Sequence, residues 1–258
     1  MSNKNYNNSM VKKIGILGYG EIGKAVARFY QNKKKFKLLL KDLNFDQFVN
    51  KKIDILNVAI PCFSEKQFIE TIARVIKKNK PNLVIIHSTI IPGMTKKIIQ
   101  KTKTRIVHSP VRGVHPKLYQ GIKTFIKFIG TENIKVGKMA KKHFQQIGIK
   151  NVKILKPAVA TELNKLVDTT YYAHCIIFTD YVEQLLQKHK VPFNAFEEFN
   201  LSYNDGYKKL GKLNVVRPTL YPPSKTGRKI GGHCQIPNAK ILEKLYPHQI
   251  TKNILKFK

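Results

Sequence analysis

Tryptophan is absent from this 258-residue chain, and cysteine is scarce. Its three cysteines, Cys62, Cys175 and Cys234, are too widely spaced for a disulfide framework or a cysteine-rich zinc site, which favours a reducing cytoplasm. No apolar run is long enough to span a bilayer, and residues 1–10 are polar and rich in asparagine, unlike a signal peptide. We therefore expect a cytoplasmic protein with a loose N-terminal tail and no membrane partner.

Acidic residues are also few, since 15 Asp and Glu stand against 48 Lys and Arg, and the formal net charge is +33. Only six of the basic residues are arginine, and the lysines are spread over nearly every segment. Nucleic-acid-binding faces tend to concentrate arginine and to interleave aromatic residues, so dispersed lysines favour a general compositional bias. Either way, we expect the positive field to attract anionic small molecules, with non-specific nucleic-acid binding at low salt.

The clearest motif is GYGEIG, which follows a short apolar strand and opens a helix. Gly18 permits a tight turn, Gly20 lets the backbone approach a pyrophosphate, and Gly23 lets the helix pack closely on the strand. The free N–H groups at the helix N-terminus attract an anion. We therefore expect the phosphates of a dinucleotide to lie on Gly20, Glu21 and Ile22.

Asp42 lies just past a second predicted strand, at residues 36–40. It is placed to accept hydrogen bonds from the ribose hydroxyls of an adenosine. Because a carboxylate repels a 2′-phosphate, Asp42 favours NAD over NADP, although Lys41 beside it leaves NADP open. A sheet of the same type that binds no cofactor is the alternative.

Strand and helix patterns alternate up to residue 155, which predicts an α/β fold of the Rossmann type, a doubly wound parallel sheet with helices on both faces. Ligands of such sheets bind at the carboxyl ends of the strands, where Pro61, Ser88 and Thr89 lie. We take Pro61 and Ser88 as further cofactor-binding candidates. Further strands are predicted at residues 53–60, 83–87, 105–108, 124–129 and 152–155, with helices at 45–49, 65–78, 92–99 and 131–147, the last capped by Thr131.

The pattern changes after residue 156, because nothing breaks a helix between residues 158 and 190, and its apolar face is long. We expect an NAD-binding domain at residues 11–156 and a smaller all-helical domain at 157–258 for substrate binding and dimerisation. That apolar face is too long for a small domain to cover, which favours a homodimer. After the long helix we predict a helix around residues 196–203, a loop at 204–232 and a helix from 238 to about 245.

Five segments of the chain together resemble the nucleotide-sugar 6-dehydrogenases, namely GYGEIG, HSTIIPGMT, HSPVRG, TELNKLVDTTY and IGGHC. That family oxidises UDP-glucose, UDP-N-acetylmannosamine or GDP-mannose to uronic acids with NAD, in polysaccharide biosynthesis. The resemblance implies a Rossmann domain, a long dimerisation helix and a second Rossmann-like domain that grips the nucleotide. Because the chain ends soon after IGGHC, we expect a short member that lacks this last domain.

The resemblance also implies catalytic roles by position. Cys234 matches the family's nucleophile, Lys165 the lysine that steadies the oxyanion, and Thr89 the threonine that positions a water. These roles suit the residue types, since a thiolate adds to an aldehyde and an ammonium stabilises an alkoxide. The alternatives are a small packing residue at Cys234, a solvated lysine at Lys165 and a helix cap at Thr89.

Three positions depart from the family pattern. Val111 and Asn238 stand where the family has carboxylates, and Thr169 stands where it has asparagine. The missing carboxylates are expected to manage protons and water in thioester hydrolysis. His115 falls where a second family glutamate lies, which makes it a candidate base near neutral pH.

Two other functions remain open at this point. One is a two-electron dehydrogenase of the 3-hydroxyacid type, which needs no cysteine; the other is a non-catalytic protein that binds NAD or nucleic acid. IGGHC favours the nucleotide-sugar enzyme over the first. No metal site is expected, because four histidines lack the spacing of metal ligands: His87, His108, His115 and His233.

Overall fold

The computed structural model describes residues 11–226, 230 and 234–257, and the predicted tail at residues 1–10 lies outside them. The described residues contain one eight-stranded sheet with the strand order β3-β2-β1-β4-β5-β6-β7-β8. Every residue of the central strands β4 and β5 is buried, as a parallel sheet covered on both faces requires. The strands are β1 Lys12–Leu17, β2 Phe36–Asp42, β3 Phe45–Asp46, β4 Ile55–Val58, β5 Leu83–Ile86, β6 Ile106–His108, β7 Lys127–Gly130 and β8 Val152–Leu155.

The predicted Rossmann-type sheet is confirmed from β2 to β6, where all neighbours pair in parallel. Two pairs depart from the predicted all-parallel order. The short β3 is antiparallel to β2, and β7 is antiparallel to β6, so β7 and its parallel neighbour β8 run opposite to the central strands.

Helices cover both faces of this sheet. One core cluster joins the sheet to α1, α4 and α5, and a second cluster joins it to α2 and α3. The helices pack on the two faces of the sheet, so the carboxyl ends of the parallel strands lie at its edge, between the two helix layers. The helices are α1 Glu21–Ala27, α2 Glu65–Asn79, α3 Met94–Thr102, α4 Leu118–Thr124 and α5 Ile134–Gln146.

Local hydrogen bonds explain where the predicted elements were wrong. The predicted helix at residues 45–49 is replaced by β3 and a turn, because Asp46 Oδ1 accepts a hydrogen bond of 2.8 Å from the Phe48 N–H. Helix α5 begins after Asn133, whose Oδ1 accepts from the Lys135 N–H at 2.8 Å, so Asn133 rather than Thr131 is its cap.

The chain divides into two compact units, of which the first ends at Lys165 and the second begins at Leu166. Helix α6 runs unbroken through the boundary at residues 165/166. The predicted domain boundary at residues 156/157 lies just before the start of this helix. Part of the predicted loop at residues 204–232 is helical. The later elements are α6 Val159–Lys188, α7 Asn194–Lys209, a 3₁₀ turn Leu213–Val215, α8 Pro223–Thr226, α9 Gln235–Leu245 and α10 Gln249–Lys256.

The second unit has a small apolar core of its own. Ala173 and Ile176 of α6 cluster with Ala239 of α9 and Ile254 of α10. Helix α10 was not predicted from the sequence. None of the helices in the described part of the chain is long and apolar enough to cross a membrane.

Candidate cofactor site and catalytic residues

The turn between β1 and α1 needs glycine at two of its three motif positions. Gly18 has a φ of 90°, and a Cβ atom there would lie 2.8 Å from the backbone carbon and oxygen of Ala59. A Cβ at Gly23 would lie 1.9 Å from the Gly18 carbonyl oxygen, because α1 packs directly against the turn. At Gly20 a Cβ would meet no atom of the described residues within 4 Å. Space is therefore open beside the start of α1, as a bound pyrophosphate requires.

Asp42 lies at the end of β2, and its carboxylate contacts the glycine turn. Its Oδ2 accepts a hydrogen bond of 2.5 Å from the Tyr19 N–H, and its Oδ1 accepts one of 2.7 Å from the Leu43 N–H. The ammonium of Lys41 forms a salt bridge with Asp46 instead. The lysine next to Asp42 in the sequence thus has a carboxylate partner of its own.

The carboxyl ends of β4 and β5 are tied together near the glycine turn. The Ser88 hydroxyl donates a hydrogen bond of 2.6 Å to the Ile60 carbonyl oxygen, and the exposed Pro61 follows directly. Thr89 is half-buried immediately after Ser88. The candidate residues Gly18, Pro61, Ser88 and Thr89 therefore share one edge of the sheet.

His115 lies against α1. Its Nδ1 atom lies 2.6 Å from Oε2 of Glu21, the first residue of that helix, and both side chains are partly exposed. Close by in sequence, Tyr119 also packs on residues that follow Glu21. The centroid of its ring lies 4.1 Å from Arg28 Cζ and 4.7 Å from the centroid of the Phe29 ring. The structure thus brings the candidate base next to the candidate cofactor residue Glu21.

Glu162 of α6 caps a helix of the same unit. Its side chain is fully buried, and it accepts hydrogen bonds from the N–H groups of Gly93 and Thr95 at the start of α3. Helix α3 has no side-chain cap of its own, because its N-cap residue is Gly93. The carboxylate both satisfies donors that the helix leaves unpaired and opposes the positive end of its dipole.

We expect Glu162→Gln to lower the free energy of unfolding by about 1–3 kcal/mol. The amide oxygen of glutamine can still accept a hydrogen bond, but the negative charge at the helix N-terminus is lost and the buried NH₂ group has no acceptor. Urea unfolding followed by circular dichroism measures the change. Glu70→Gln is the matched control, since Glu70 pairs with Lys101 on the solvent-exposed surface and its substitution should have a much smaller effect. Equal effects of the two substitutions would contradict the capping role.

A chain of buried polar side chains crosses the first unit and was not predicted from the sequence. Tyr30 Oη lies 2.7 Å from His143 Nε2 and 3.3 Å from the side-chain nitrogen of Asn57. The Asn57 amide is also 2.9 Å from His87 Nε2, and His87 Nδ1 is 3.2 Å from the Ser109 carbonyl oxygen. The sequence offered one sign of these residues, because each is an isolated polar residue within an apolar segment. Such a pattern indicates that the residue is buried, but it does not show which other polar residue it contacts.

Lys127 extends this buried polar region. It is 3% exposed, and its ammonium donates hydrogen bonds of 2.6 Å and 3.0 Å to the carbonyl oxygens of Ser109 and Pro110. Burial, together with the positive charge of Lys165, lowers the pKa of Lys127 to about 7. Burial also lowers the pKa of His108 to about 3, partly opposed by its hydrogen bond to the Ser88 carbonyl. Lys165, a candidate catalytic residue, is thus close enough to affect both groups.

Cys234 is the N-cap residue of α9 and is half-buried. Its carbonyl oxygen accepts a hydrogen bond of 3.1 Å from the Asn238 N–H, and the Asn238 side chain donates one of 2.8 Å to Thr169 Oγ1. Two of the three positions that depart from the family pattern therefore contact each other. Residues 231–233, the Gly-Gly-His of the IGGHC segment, lie outside the described residues.

The third departure, Val111, is 5% exposed and belongs to the core cluster that contains Leu118 and Ile122. Its side chain is thus a packing residue of the first unit. Among the residues that the structure describes, no group of three or more His, Cys, Asp and Glu side chains is placed to hold a metal ion. His87 and His108 belong to the buried polar region instead.

Comparison with known proteins finds one relative in sequence. No protein-family model matches the chain. Over 198 residues, the chain is 26% identical to a UDP-N-acetyl-D-mannosamine dehydrogenase from Methanocaldococcus jannaschii. The matched relative is a nucleotide-sugar dehydrogenase. This confirms the resemblance that the motifs indicate. The match covers 71% of this chain and 43% of the relative, so the chain spans less than half of that protein's length.

Solved structures show the same fold. The chain aligns with UDP-D-ManNAc dehydrogenase from Pyrococcus horikoshii at a TM-score of 0.69 and 17% identity, covering 95% of this chain and 68% of that one. It aligns with 3-hydroxyisobutyrate dehydrogenase from Mycobacterium tuberculosis at a TM-score of 0.70 and 13% identity, covering 95% and 92%. Both types of dehydrogenase share this architecture, so the fold alone does not separate them.

Proposed function

We propose that the chain is an NAD-dependent oxidoreductase that oxidises an alcohol of a sugar nucleotide. The observation that carries this proposal is the contact of Asp42 with the GYGEIG turn, in a chain whose sequence relative is a nucleotide-sugar dehydrogenase. The net charge of +33 supports an anionic substrate. The scarcity of cysteine, with three residues in a chain of 258, suits a cytoplasmic location.

The residues around the turn fit a dinucleotide. The open space at Gly20 and the N–H groups of Glu21 and Ile22 suit its phosphates, and the Asp42 carboxylate suits the hydroxyls of a ribose. Pro61 and Ser88, which follow β4 and β5, would complete the site for the cofactor. When bound, NAD supplies a hydride acceptor for oxidation of a carbon that bears a hydroxyl.

The catalytic roles rest on the resemblance. After an alcohol has lost a hydride and a proton, the Cys234 thiolate would add to the aldehyde carbon to form a thiohemiacetal. Loss of a second hydride gives a thioester, which water cleaves to the carboxylate and the free thiol. The Lys165 ammonium would stabilise the oxyanions, and Thr89 would orient the water. Screening NAD reduction against UDP- and GDP-sugars tests this function, and reduction by none of them would contradict it.

We expect NADH to bind more tightly than NADPH. If the ribose binds at Asp42, the carboxylate would repel a 2′-phosphate, and the charge of Lys41 is engaged by Asp46. Fluorescence titration of both cofactors measures the ratio, and Asp42→Asn should narrow it. Equal affinities in the wild-type protein would show that Asp42 does not contact the ribose.

We also expect a homodimer formed through α6, because several large apolar side chains of this helix are exposed in the single chain. Among them are Phe178, Tyr181 and Leu185, with exposed fractions of 55%, 59% and 42%. Sedimentation should give about twice the chain mass of 29.7 kDa. Tyr181→Asp should shift the protein toward the monomer, and a wild-type monomer at micromolar concentration would contradict the prediction.

A further inference from the structure

The amino ends of the five central parallel strands carry a row of exposed basic side chains. Each of these strands begins with an exposed lysine or arginine, or has one within the four residues before it. These residues, here called the basic edge, are Lys12 at β1, Lys35 before β2, Lys51 and Lys52 before β4, Lys80 before β5, and Lys103 and Arg105 before β6. Lysines that are dispersed in the sequence are thus gathered at one edge of the sheet.

Backbone pairing shows that these strand ends lie side by side. The strands run parallel in the order β2-β1-β4-β5-β6. At the two ends of the row, the Lys12 N–H donates to the Lys35 carbonyl oxygen at 3.0 Å, and the Val84 N–H donates to the Arg105 carbonyl oxygen at 2.9 Å. Because neighbouring strands are about 4.8 Å apart, the row is about 19 Å long.

Acidic side chains are scarce at the basic edge. The four connecting segments that lead into β2, β4, β5 and β6 contain one acidic residue, Asp54. Its Oδ2 accepts a hydrogen bond of 2.7 Å from the Lys13 N–H, so this carboxylate binds the backbone. Glu21, Asp42 and Glu65 lie on the carboxyl side of the sheet instead, at the start of α1, the end of β2 and the start of α2. The two edges therefore differ in charge.

Two lysines of the basic edge occupy strained backbone positions. Lys80 and Lys103 follow the last residues of α2 and α3 with φ angles of 45° and 53°, in the left-handed region that favours glycine. The helix dipole explains lysine in the last turns of these helices, as at Lys77, Lys78 and Lys101, but it does not explain a strained backbone. Strain that a structure retains points to a use for the side chain at that position.

The surroundings of the basic edge fit the phosphates of a duplex. Duplex DNA carries one negative charge per roughly 1.7 Å of its axis, so a straight row of cations can contact many phosphates at once. Four aromatic residues in the same segments, Phe29, Tyr30, Phe36 and Phe48, are buried. Their rings cannot stack on unpaired bases or insert into a bilayer, which favours a duplex over a single strand or a membrane.

We propose that the basic edge binds the phosphate backbone of a nucleic-acid duplex without reading its sequence. Six of its seven residues are lysines, which bind phosphates as point charges. The basic edge lies opposite the carboxyl edge that carries Gly20 and Asp42, so duplex and cofactor occupy different parts of the first unit. This binding is separate from the proposed oxidation of a sugar nucleotide.

The test compares two triple variants that remove the same charge. The edge variant carries Lys52→Gln, Lys80→Gln and Lys103→Gln. The control variant replaces three exposed lysines near the starts of α2, α3 and α5, namely Lys66→Gln, Lys96→Gln and Lys135→Gln. Fluorescence anisotropy with a labelled DNA duplex of about 30 base pairs measures the affinity at several salt concentrations.

We expect the edge variant to bind the duplex about 10- to 100-fold more weakly near 0.1 M salt, and the control variant to stay within about 3-fold of the wild type. The salt slope of log affinity should fall by about 3 in the edge variant, because each phosphate contact contributes about 0.9. Two duplexes of unrelated sequence should bind equally. Equal weakening in both variants, or no binding by the wild type, would overturn the proposal.

The strained positions supply a second readout. Lys80→Gly and Lys103→Gly should each raise the equilibrium constant for folding by about 2- to 5-fold in urea unfolding, because glycine suits a left-handed backbone. Both substitutions should nevertheless weaken duplex binding. A lysine kept only for the turn would not give these opposite effects, so a variant that keeps its duplex affinity would contradict the proposal.

Competition separates the basic edge from other ligands. NADH should not displace the duplex, and displacement would show that the duplex occupies the cofactor site. Vesicles rich in phosphatidylserine test the membrane alternative. Tighter binding to these vesicles than to the duplex, lost in the edge variant, would overturn the assignment to nucleic acid. None of these measurements needs a sugar nucleotide, so they stand whether or not the proposed oxidation occurs.

Discussion

Incubation with NAD and a suitable sugar nucleotide is expected to leave a covalent acyl adduct on Cys234. The chain keeps the thiol and the lysine that the resemblance implies. At the positions of the two implied carboxylates it has Val111, which is buried in the core, and Asn238, whose amide donates to Thr169. Loss of a positioned base costs about 10²–10⁴-fold in rate. Hydrolysis of the thioester should therefore fall from roughly 1 s⁻¹ to below about one event per minute.

Intact-mass spectrometry during the first turnovers measures the adduct, and Cys234→Ser is the control because serine cannot form the thioester. Hydroxylamine should release the adduct and restore the chain mass. Rapid multiple-turnover formation of uronic acid without an adduct would show that another group, such as His115, supplies the base. If the Cys234→Ser variant still produced one NADH per molecule of substrate, the two-electron type of dehydrogenase would be favoured instead.

The protein is expected to lose about 4 kcal/mol of unfolding free energy between pH 7 and pH 5 through His108 and His143, with a further loss in the same direction through His87. Burial lowers the pKa of His108 and His143 to about 3, and burial with the charge of Lys127 lowers that of His87 well below its usual value. The unfolded chain, with pKa values near 6.5, then binds more protons than the folded chain, so stability falls as the pH falls below about 7. His108 and His143 each contribute about 2 kcal/mol over this interval, which together is a large share of a typical total of about 5–15 kcal/mol.

Urea unfolding at a series of pH values measures this loss, and His143→Phe should reduce it by about 2 kcal/mol. His189→Gln is the matched control, because it removes a histidine whose side chain is exposed. A wild-type profile that is flat between pH 7 and pH 5 would show that the buried histidines do not remain neutral in the folded protein.

The same measurement above pH 7 isolates Lys127. Its folded pKa of about 7 lies below the usual value of 10.5, so the unfolded chain binds more protons between these values and stability rises with pH. The gain from pH 7 to pH 9 should be about 2 kcal/mol. Lys127→Met should abolish it, whereas Lys153→Met, at an exposed strand position, should not.

Much of the fold could be predicted because its signals are local. Most strands and helices up to residue 155 follow from apolar runs and helical spacing, which depend on neighbours in sequence, although β3 and α4 were not predicted. The errors arose where a different local interaction prevailed. Asp46 forms a turn hydrogen bond where a helix was predicted, and Asn133 caps α5 in place of Thr131. The reversed direction of β7 and β8 was not predictable, because it depends on how distant strands pair.

The sequence by itself determined the glycine turn and the position of Asp42, since a G-x-G-x-x-G motif between a strand and a helix allows few backbone paths. Only the tertiary structure decided which polar groups meet. Glu162 caps α3, His115 contacts Glu21, Lys127 holds the carbonyls after β6, and Asn238 donates to Thr169. Each of these contacts joins residues far apart in the chain. A buried polar group must find a partner, and folding decides which distant group lies within hydrogen-bonding distance.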